Sequence, residues 1–332
     1  MKRSIKCKFV GWHEDIKEIL KERYTVVETE EPDFAFFDCQ HRSDCVDCQC
    51  VRIIILGENQ RPDFNLFDYA AGFDKIQFED RYLYRPLYVS DNYKGDLEIA
   101  LKKHTRGSEY FLAKKKFCNM VVSNVRDASD KRIDFFNMLG KYKEIDSGGR
   151  SYNNLTDGKP VTNKRKFQEE YKFSLAFENS TYKGYATEKI IQAWMAGTIP
   201  IYWGDPSIGE QFNEKAFINC HAYKNWDEVV EKIIEIDNDN KLYLKMQQEP
   251  IYNEDSNLFE LMDENYFKNW LYHILDKDPK DALWRTNAYE GWGWFYERDM
   301  KRLRDMYESK LVVTALRMHN FFLRYRNSRR IG

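Results

Sequence analysis

Short apolar runs alternate with amphipathic stretches through the first third of the chain. Ile5 to Val10 predicts a strand, and His13 to Glu22 a helix. Asp33 to Phe37 and Val51 to Leu56 predict two further strands. The unbroken run Ile53-Ile54-Ile55-Leu56 suits a strand buried on both faces. Strands alternating with helices imply crossover connections, hence a parallel sheet and an α/β domain.

The rhythm resumes near Phe117. Asn119 to Ser123 predicts a strand, and Asp130 to Tyr142 a helix. Phe173 to Phe177 is a strand by pattern. Thr187 to Ala196 is a helix with Thr187 as its cap and Gly197 as its stop, and Ile199 to Trp203 is the next strand. Asn225 to Ile236 carries a capping-box pattern, Asn225 with Glu228, and an apolar stripe of Val229, Val230, Ile233 and Ile234. Asp146 to Pro160 is rich in Gly, Asn and Ser, and a mobile surface loop is expected there. From Asp281 the chain turns rich in Trp, Tyr and Arg. Met300 to Tyr325 is helical by pattern, with Leu303, Tyr307, Leu311, Ala315, Met318 and Phe322 at helical spacing. Such a helix is expected to pack on the body or on a second copy, a homodimer; a membrane-surface helix is the alternative. The expected division is an N-terminal α/β domain over 1–115, a second α/β domain over 116–277 and a helical tail over 278–332.

A length of 332 residues is consistent with two domains. The formal charge of -2, with both signs interspersed, argues against a nucleic-acid partner. The Lys114-Lys115-Lys116 run reads as a solvated face. No apolar stretch approaches the roughly 18 residues of a membrane span, and Ile5 to Val10 is not a signal segment. The expectation is a soluble cytoplasmic protein, with peripheral inner-membrane contact through the tail as the variant. Cys39, Cys45, Cys48 and Cys50 cluster beside His41. Cys45-x-x-Cys48 has metal-ligand spacing; a loop of reduced thiols is the alternative, and the pattern leaves both open.

In open parallel sheets ligands bind beyond the carboxyl ends of the strands. At one such end Glu178-Asn179-Ser180 follows the strand, and Gly184-Tyr185-Ala186-Thr187-Glu188-Lys189 opens a helix. Asn179, Tyr185, Glu188 and Lys189 would collect at a helix N-terminus, which favours a phosphate. Lys189 adds a full charge, Glu188 accepts from sugar hydroxyls, and Tyr185 stacks or donates. A second end, Gly57-Glu58-Asn59, offers Glu58 as a general base; a turn carboxylate bonded to backbone is the bland alternative. A third places Ser123-Asn124 ahead of Arg132, a residue suited to phosphate. No convincing Asp-x-Asp metal–diphosphate site is present, so Arg132, Lys189 and backbone dipoles would meet diphosphate charge.

The blocks Phe177-Glu178-Asn179-Ser180, Gly184 to Lys189 and Ala196 to Gly204 resemble the signature of the α1,3-fucosyltransferases of glycosyltransferase family 10, in particular its bacterial members. Gly57-Glu58-Asn59, Pro62 to Tyr69, Gly72-Phe73-Asp74 and Asp80 to Tyr88 resemble the acceptor domain of the same family. The resemblance implies a GT-B fold, two Rossmann-like domains facing each other across a cleft. It implies inverting transfer of L-fucose from GDP-β-L-fucose to the 3-hydroxyl of GlcNAc in N-acetyllactosamine-type glycans, giving Lewis x. By motif position, Glu58 is then the base, and Arg132 and Lys189 the pyrophosphate ligands. Asn179, Tyr185 and Glu188 are the other donor contacts, with Ser123 assisting at the phosphate. No cofactor is required; a divalent ion such as Mn²⁺ would stimulate only. The cysteine cluster and the lack of heptad repeats before the tail depart from the bacterial pattern. Competing readings are a related GT-B enzyme with another nucleotide sugar, an α1,4 linkage, or a non-catalytic GDP- or glycan-binding protein.

Overall fold

The computed structural model describes residues 2–123, 131–285, 292–315 and 318. Two sheets organise it. The first joins β1 (Arg3–Val10), β2 (Tyr24–Glu28), β3 (Phe34–Asp38), β4 (Val51–Ile55), β5 (Tyr69–Gly72) and β6 (Tyr82–Tyr84) in the order β2-β1-β3-β4-β5-β6. The second joins β7 (Lys116–Met120), β8 (Ile145–Ser147), β9 (Tyr171–Phe177), β10 (Ile199–Trp203) and β11 (Ile218–Asn219) in the order β11-β10-β9-β7-β8. Every pairing between these strands is parallel. The helices are α1 (Glu14–Arg23), α2 (Asp91–Leu101), α3 (Ser108–Leu112), α4 (Lys131–Leu139), α5 (Lys164–Gln168) and α6 (Glu188–Met195). There follow α7 (Trp226–Asn238), α8 (Asn240–Gln248), α9 (Leu258–Met262), α10 (Glu264–Leu275), α11 (Pro279–Ala282) and α12 (Trp292–Glu308).

The apolar runs do what continuous hydrophobicity implies. On β4, Val51 and Ile53 join the core under α1, while Ile54 joins the opposite core with Cys45 and Val46. On β9, Phe173, Leu175 and Phe177 pack with Phe135 of α4 and Val229 and Ile233 of α7. Ala176 faces the other way, toward Ile190, Ile191 and Trp194 of α6. Asn225 caps α7 as its spacing predicts, its Oδ1 accepting from the Glu228 N–H at 3.0 Å. Gly197 ends α6 with φ +67°, a left-handed conformation suited to glycine. Thr187 precedes α6 but makes no side-chain cap, because its hydroxyl is committed to Glu178.

The chain passes between the sheets twice. After β6, Leu97 and Ala100 of α2 enter the core under α6. Later, Phe267, Trp270, Leu271, Ile274 and Leu275 of α10 return to the core of the first sheet. Residues 264–275 thus lie within the 116–277 segment yet pack against β1, β3 and β4.

Two other segments differ from the pattern reading. The Gly-rich stretch after Lys143 begins with β8, and Asn154 Oδ1 accepts from the Ser147 N–H at 2.6 Å. A Cβ on Gly149 would sit 1.9 Å from the Val122 carbonyl oxygen, so that glycine permits close docking on the segment after β7. The tail helix starts at Trp292 rather than Met300 and breaks after Glu308, with helical turns resuming over 310–315. Phe322 and its neighbours lie outside the described residues. No α12 residue is buried; polar contacts pin it to the first sheet and the segment just before β4. Among the described residues no helix is long and apolar enough to cross a membrane.

Candidate active site

The carboxyl ends of β4 and β9 meet across a cleft. Leu56 and Gly57 carry the chain beyond β4 to Glu58, whose side chain is exposed. Tyr185, from the loop before α6, donates its hydroxyl to Glu58 Oε2 at 2.8 Å. Burial holds the Tyr185 phenol well above its ordinary range, and the nearby Glu178 and Glu58 carboxylates push it the same way. Tyr185 therefore stays protonated and serves as a donor. Next to this contact, Asn59 Nδ2 donates to Ser180 Oγ at 2.7 Å. The Phe73 ring stands edge-on to Tyr185 at 5.2 Å, and the Arg61 guanidinium lies 3.3 Å from the Tyr182 ring centroid. Gly184 makes the approach feasible. Its φ is +86°, and a Cβ there would stand 2.6 Å from the Phe73 carbonyl oxygen.

Behind this contact lies a buried polar knot. Glu178, 1% exposed at the end of β9, accepts from the Thr187 N–H at 2.7 Å and from Lys189 Nζ at 2.8 Å. Lys189 also lies 3.7 Å from Glu188. Burial would lower the Lys189 ammonium, but Glu178 and Glu188 outweigh it, so the net shift is upward. Glu188 balances the other way: burial raises its carboxyl, and the Lys189 and Lys164 charges bring it below its usual range. Lys164 donates to Gln192 Oε1 at 2.7 Å, and burial draws its ammonium downward. Arg132 on α4 is 2% exposed and donates from Nη2 to the Phe177 carbonyl at 2.9 Å and to Asn179 Oδ1 at 3.0 Å.

The structure thus gathers Glu58, Tyr185, Glu188, Lys189, Asn179 and Arg132 at one cleft. Ser123 lies at the same end of the sheet but apart. Its carbonyl accepts from Ser151 Oγ at 2.5 Å, and among the described residues no hydrogen bond joins it to the group. Asn124 lies outside the described residues. Sequence reasoning passed over Glu178, Lys164 and the Asn59–Ser180 pair. Glu178 carried a signal: an acid placed at the strand end, one loop ahead of the helix start that holds Lys189. A cavity of about 400 Å³ opens near the ends of β10 and β11, with Lys131, Trp203, His221 and Trp226 in its walls.

The cysteines lead elsewhere. Cys45, Cys48 and Cys50 are buried and belong to the core beneath β3 and β4. Burial pushes the Cys45 thiol up to about 12. His41 Nδ1 stands 2.8 Å from Asp38 Oδ1 rather than beside the thiols. Among the described residues, no group of three or more His, Cys, Asp or Glu side chains is placed to hold a metal.

Residues 111–249 match the family model of the C-terminal region of glycosyltransferase family 10 (fucosyltransferase). Residues 6–90 match that of the α-(1,3)-fucosyltransferase FucT N-terminal domain. A crystal structure of an α1,3-fucosyltransferase with GDP superposes with a TM-score of 0.69 at 30% identity, covering 83% of this chain and 92% of that one. The chain belongs to glycosyltransferase family 10. A second crystal structure, of an α1,3-fucosyltransferase with GDP-fucose, superposes with a TM-score of 0.65 at 30% identity, covering 86% of this chain and 94% of that one. The family 10 chain is also 35% identical over 290 residues to the α-(1,3)-fucosyltransferase FucT of Helicobacter pylori, 74% of this chain. It spans 60% of the length of that enzyme. A bovine 4-galactosyl-N-acetylglucosaminide 3-α-L-fucosyltransferase 9 is 35% identical over 136 residues, 40% of this chain and 36% of its own. The two parallel-sheet units form a fold of the GT-B type, as the sequence blocks imply.

Proposed function

We propose that this family 10 protein is an inverting α1,3-fucosyltransferase that moves L-fucose from GDP-β-L-fucose to the 3-hydroxyl of GlcNAc in N-acetyllactosamine-type glycans. The Tyr185–Glu58 hydrogen bond across the cleft carries this reading. It places an exposed carboxylate on one side and, on the other, the helix start that holds Lys189. An inverting displacement needs that polarity: a base on the acceptor hydroxyl and charge stabilisation of the departing diphosphate opposite it.

Glu58 takes the proton of the acceptor hydroxyl as that oxygen bonds to fucose C1, and the C1–O bond to GDP breaks. Lys189, Arg132 and the first N–H groups of α6 face the diphosphate, with Lys164 adding positive charge nearby. Glu188 and Asn179 accept from hydroxyls of the donor. The aromatic walls of the neighbouring cavity suit a planar purine. The cationic set compensates the leaving group without a resident metal.

Incubation with GDP-fucose and both galactosyl-GlcNAc isomers, followed by linkage analysis, tests the reading. The expected product is α1,3-fucosylated type 2 disaccharide, formed in EDTA as well as in Mn²⁺. An α1,4 product, or transfer only from another nucleotide sugar, would replace the assignment with its neighbour. Glu58→Gln is expected to lower turnover by at least about a hundredfold while GDP still binds. Near-normal turnover of that variant would remove Glu58 as the base.

A further inference from the structure

Beside Glu58 lies a groove of about 650 Å³ that the transfer reaction itself does not use. Its floor is the segment after β4, and its far wall is α12. Arg42, Gln60, Arg61, Asn65, Tyr296 and Met300 line it, with the Phe64 ring. It begins two residues from the carboxylate: the Gln60 N–H lies 2.6 Å from the Glu58 carbonyl oxygen. Arg61 marks the boundary with the cleft. It pairs with Asp74 at 3.1 Å and covers Tyr182, so it touches both the groove and the loop that carries Tyr185.

The lining has the chemistry of a glycan surface. Sugars present apolar ring faces and a rim of hydroxyls, so they fit aromatic rings flanked by amide, guanidinium and carboxylate groups. Here Tyr296 and Phe64 supply rings, while Arg42, Gln60 and Asn65 supply polar heads at the rim. The side chains are ordered by one another. Arg42 Nη1 donates to Gln60 Oε1 at 2.9 Å, and Tyr296 donates to Asp63 Oδ2 at 2.6 Å. The second bond fixes the tail helix to the loop that follows Glu58. Its loss would leave α12 in place over the groove, because Glu297 of the same helix pairs with buried Arg52 at 3.1 Å and with Arg285 at 2.8 Å.

We propose that this groove binds the outer sugars of an extended acceptor, those beyond the disaccharide that receives fucose, and that Tyr296 of α12 is its ring platform. The proposal rests on the transfer reading for the identity of the acceptor. It adds that the tail helix helps select glycan length.

The test compares N-acetyllactosamine with a linear hexasaccharide of three such units, using the full chain. In the native protein the hexasaccharide is expected to have the lower KM and, by calorimetry without donor, the tighter Kd. Tyr296→Ala is expected to raise the hexasaccharide KM relative to the disaccharide KM by roughly fivefold, the scale of one lost aromatic contact. Its hexasaccharide Kd should rise similarly. Tyr296→Phe keeps the ring and should retain the native ratio. Equal Kd values for the two glycans on the native protein would overturn the proposal. So would a Phe variant as impaired as the Ala variant, or an Ala variant with native hexasaccharide affinity. Tyr296-dependent hexasaccharide binding with no transfer to any acceptor would overturn the transfer reading and leave the groove standing.

Discussion

At the scale of single residues, the tension in the site is between Lys189 as a ligand for the donor and Lys189 as the partner of Glu178. A lysine beside a fully buried carboxylate is already neutralised, so its ammonium attracts diphosphate less than an isolated cation would. Its value is position: the 2.8 Å bond to Glu178 fixes the head at the start of α6. This separates two roles that substitution can read apart. Lys189→Ala removes the cation and is expected to weaken GDP binding by at least tenfold, about 1.4 kcal/mol. Glu178→Gln keeps the shape but strips a buried charge from its partner. Removing one member of a buried pair costs about 3 kcal/mol, so thermal or urea unfolding should show that loss. GDP affinity should hold or rise, because the freed ammonium can turn wholly to the diphosphate. A Glu178→Gln protein that loses GDP binding as Lys189→Ala does would show that orientation outweighs available charge.

At the scale of elements, the loop between β9 and α6 joins the two halves, and Gly184 is its tightest point. Alanine there meets two penalties. A positive φ costs an L-residue roughly 1–2 kcal/mol, and the methyl would collide with the Phe73 carbonyl. Gly184→Ala should leave each sheet folded, since the glycine lies in neither, but should part Tyr185 from Glu58. Turnover is expected to fall by roughly tenfold or more with an unchanged circular dichroism spectrum; native turnover would mean that the closed contact is dispensable. The sequence made the loop itself legible, because a strand run, an Asn-Ser turn and a Thr-Glu-Lys helix start are local patterns. It could not show what the glycine is for. Phe73 lies more than a hundred residues away, and the need for a small residue arises only where two backbones meet. The same limit hid Glu178, whose place at the strand end is a local feature while its burial comes from distant packing. The short β5, β6 and β8 escaped pattern reading because their register is set by neighbours across the sheet rather than by their own alternation. Tertiary competition also overrode the predicted Thr187 cap: a buried carboxylate is a stronger acceptor for that hydroxyl than the helix end needs a cap.

At the scale of the whole molecule, the tail is held by charge rather than by apolar burial. Arg52, on the central strand β4, has a side chain with no exposure and reaches Glu297 of α12 through two contacts of 3.1 Å. It also donates to the carbonyls of Cys48 at 2.8 Å and Leu66 at 3.1 Å. Arg285 repeats the device, contacting buried Asp68 at 3.0 Å and Glu297 at 2.8 Å. Two guanidiniums therefore share one carboxylate that only α12 supplies. An exposed pair of this kind would contribute at most about 1 kcal/mol, and salt would screen it. Here the cation cannot return to water without disrupting β4, so losing the anion leaves a buried charge partly uncompensated. Glu297→Ala is expected to destabilise the protein by about 3 kcal/mol in urea unfolding, with little dependence on ionic strength. Arg52→Met combined with Glu297→Leu should recover only part of that loss: the apolar pair carries no desolvation penalty, but Arg285 keeps Asp68 alone. A loss below about 1 kcal/mol for Glu297→Ala would place the pair with the surface bridges. The tail would then be a loosely held appendage, and the groove it walls would lose its rigid side.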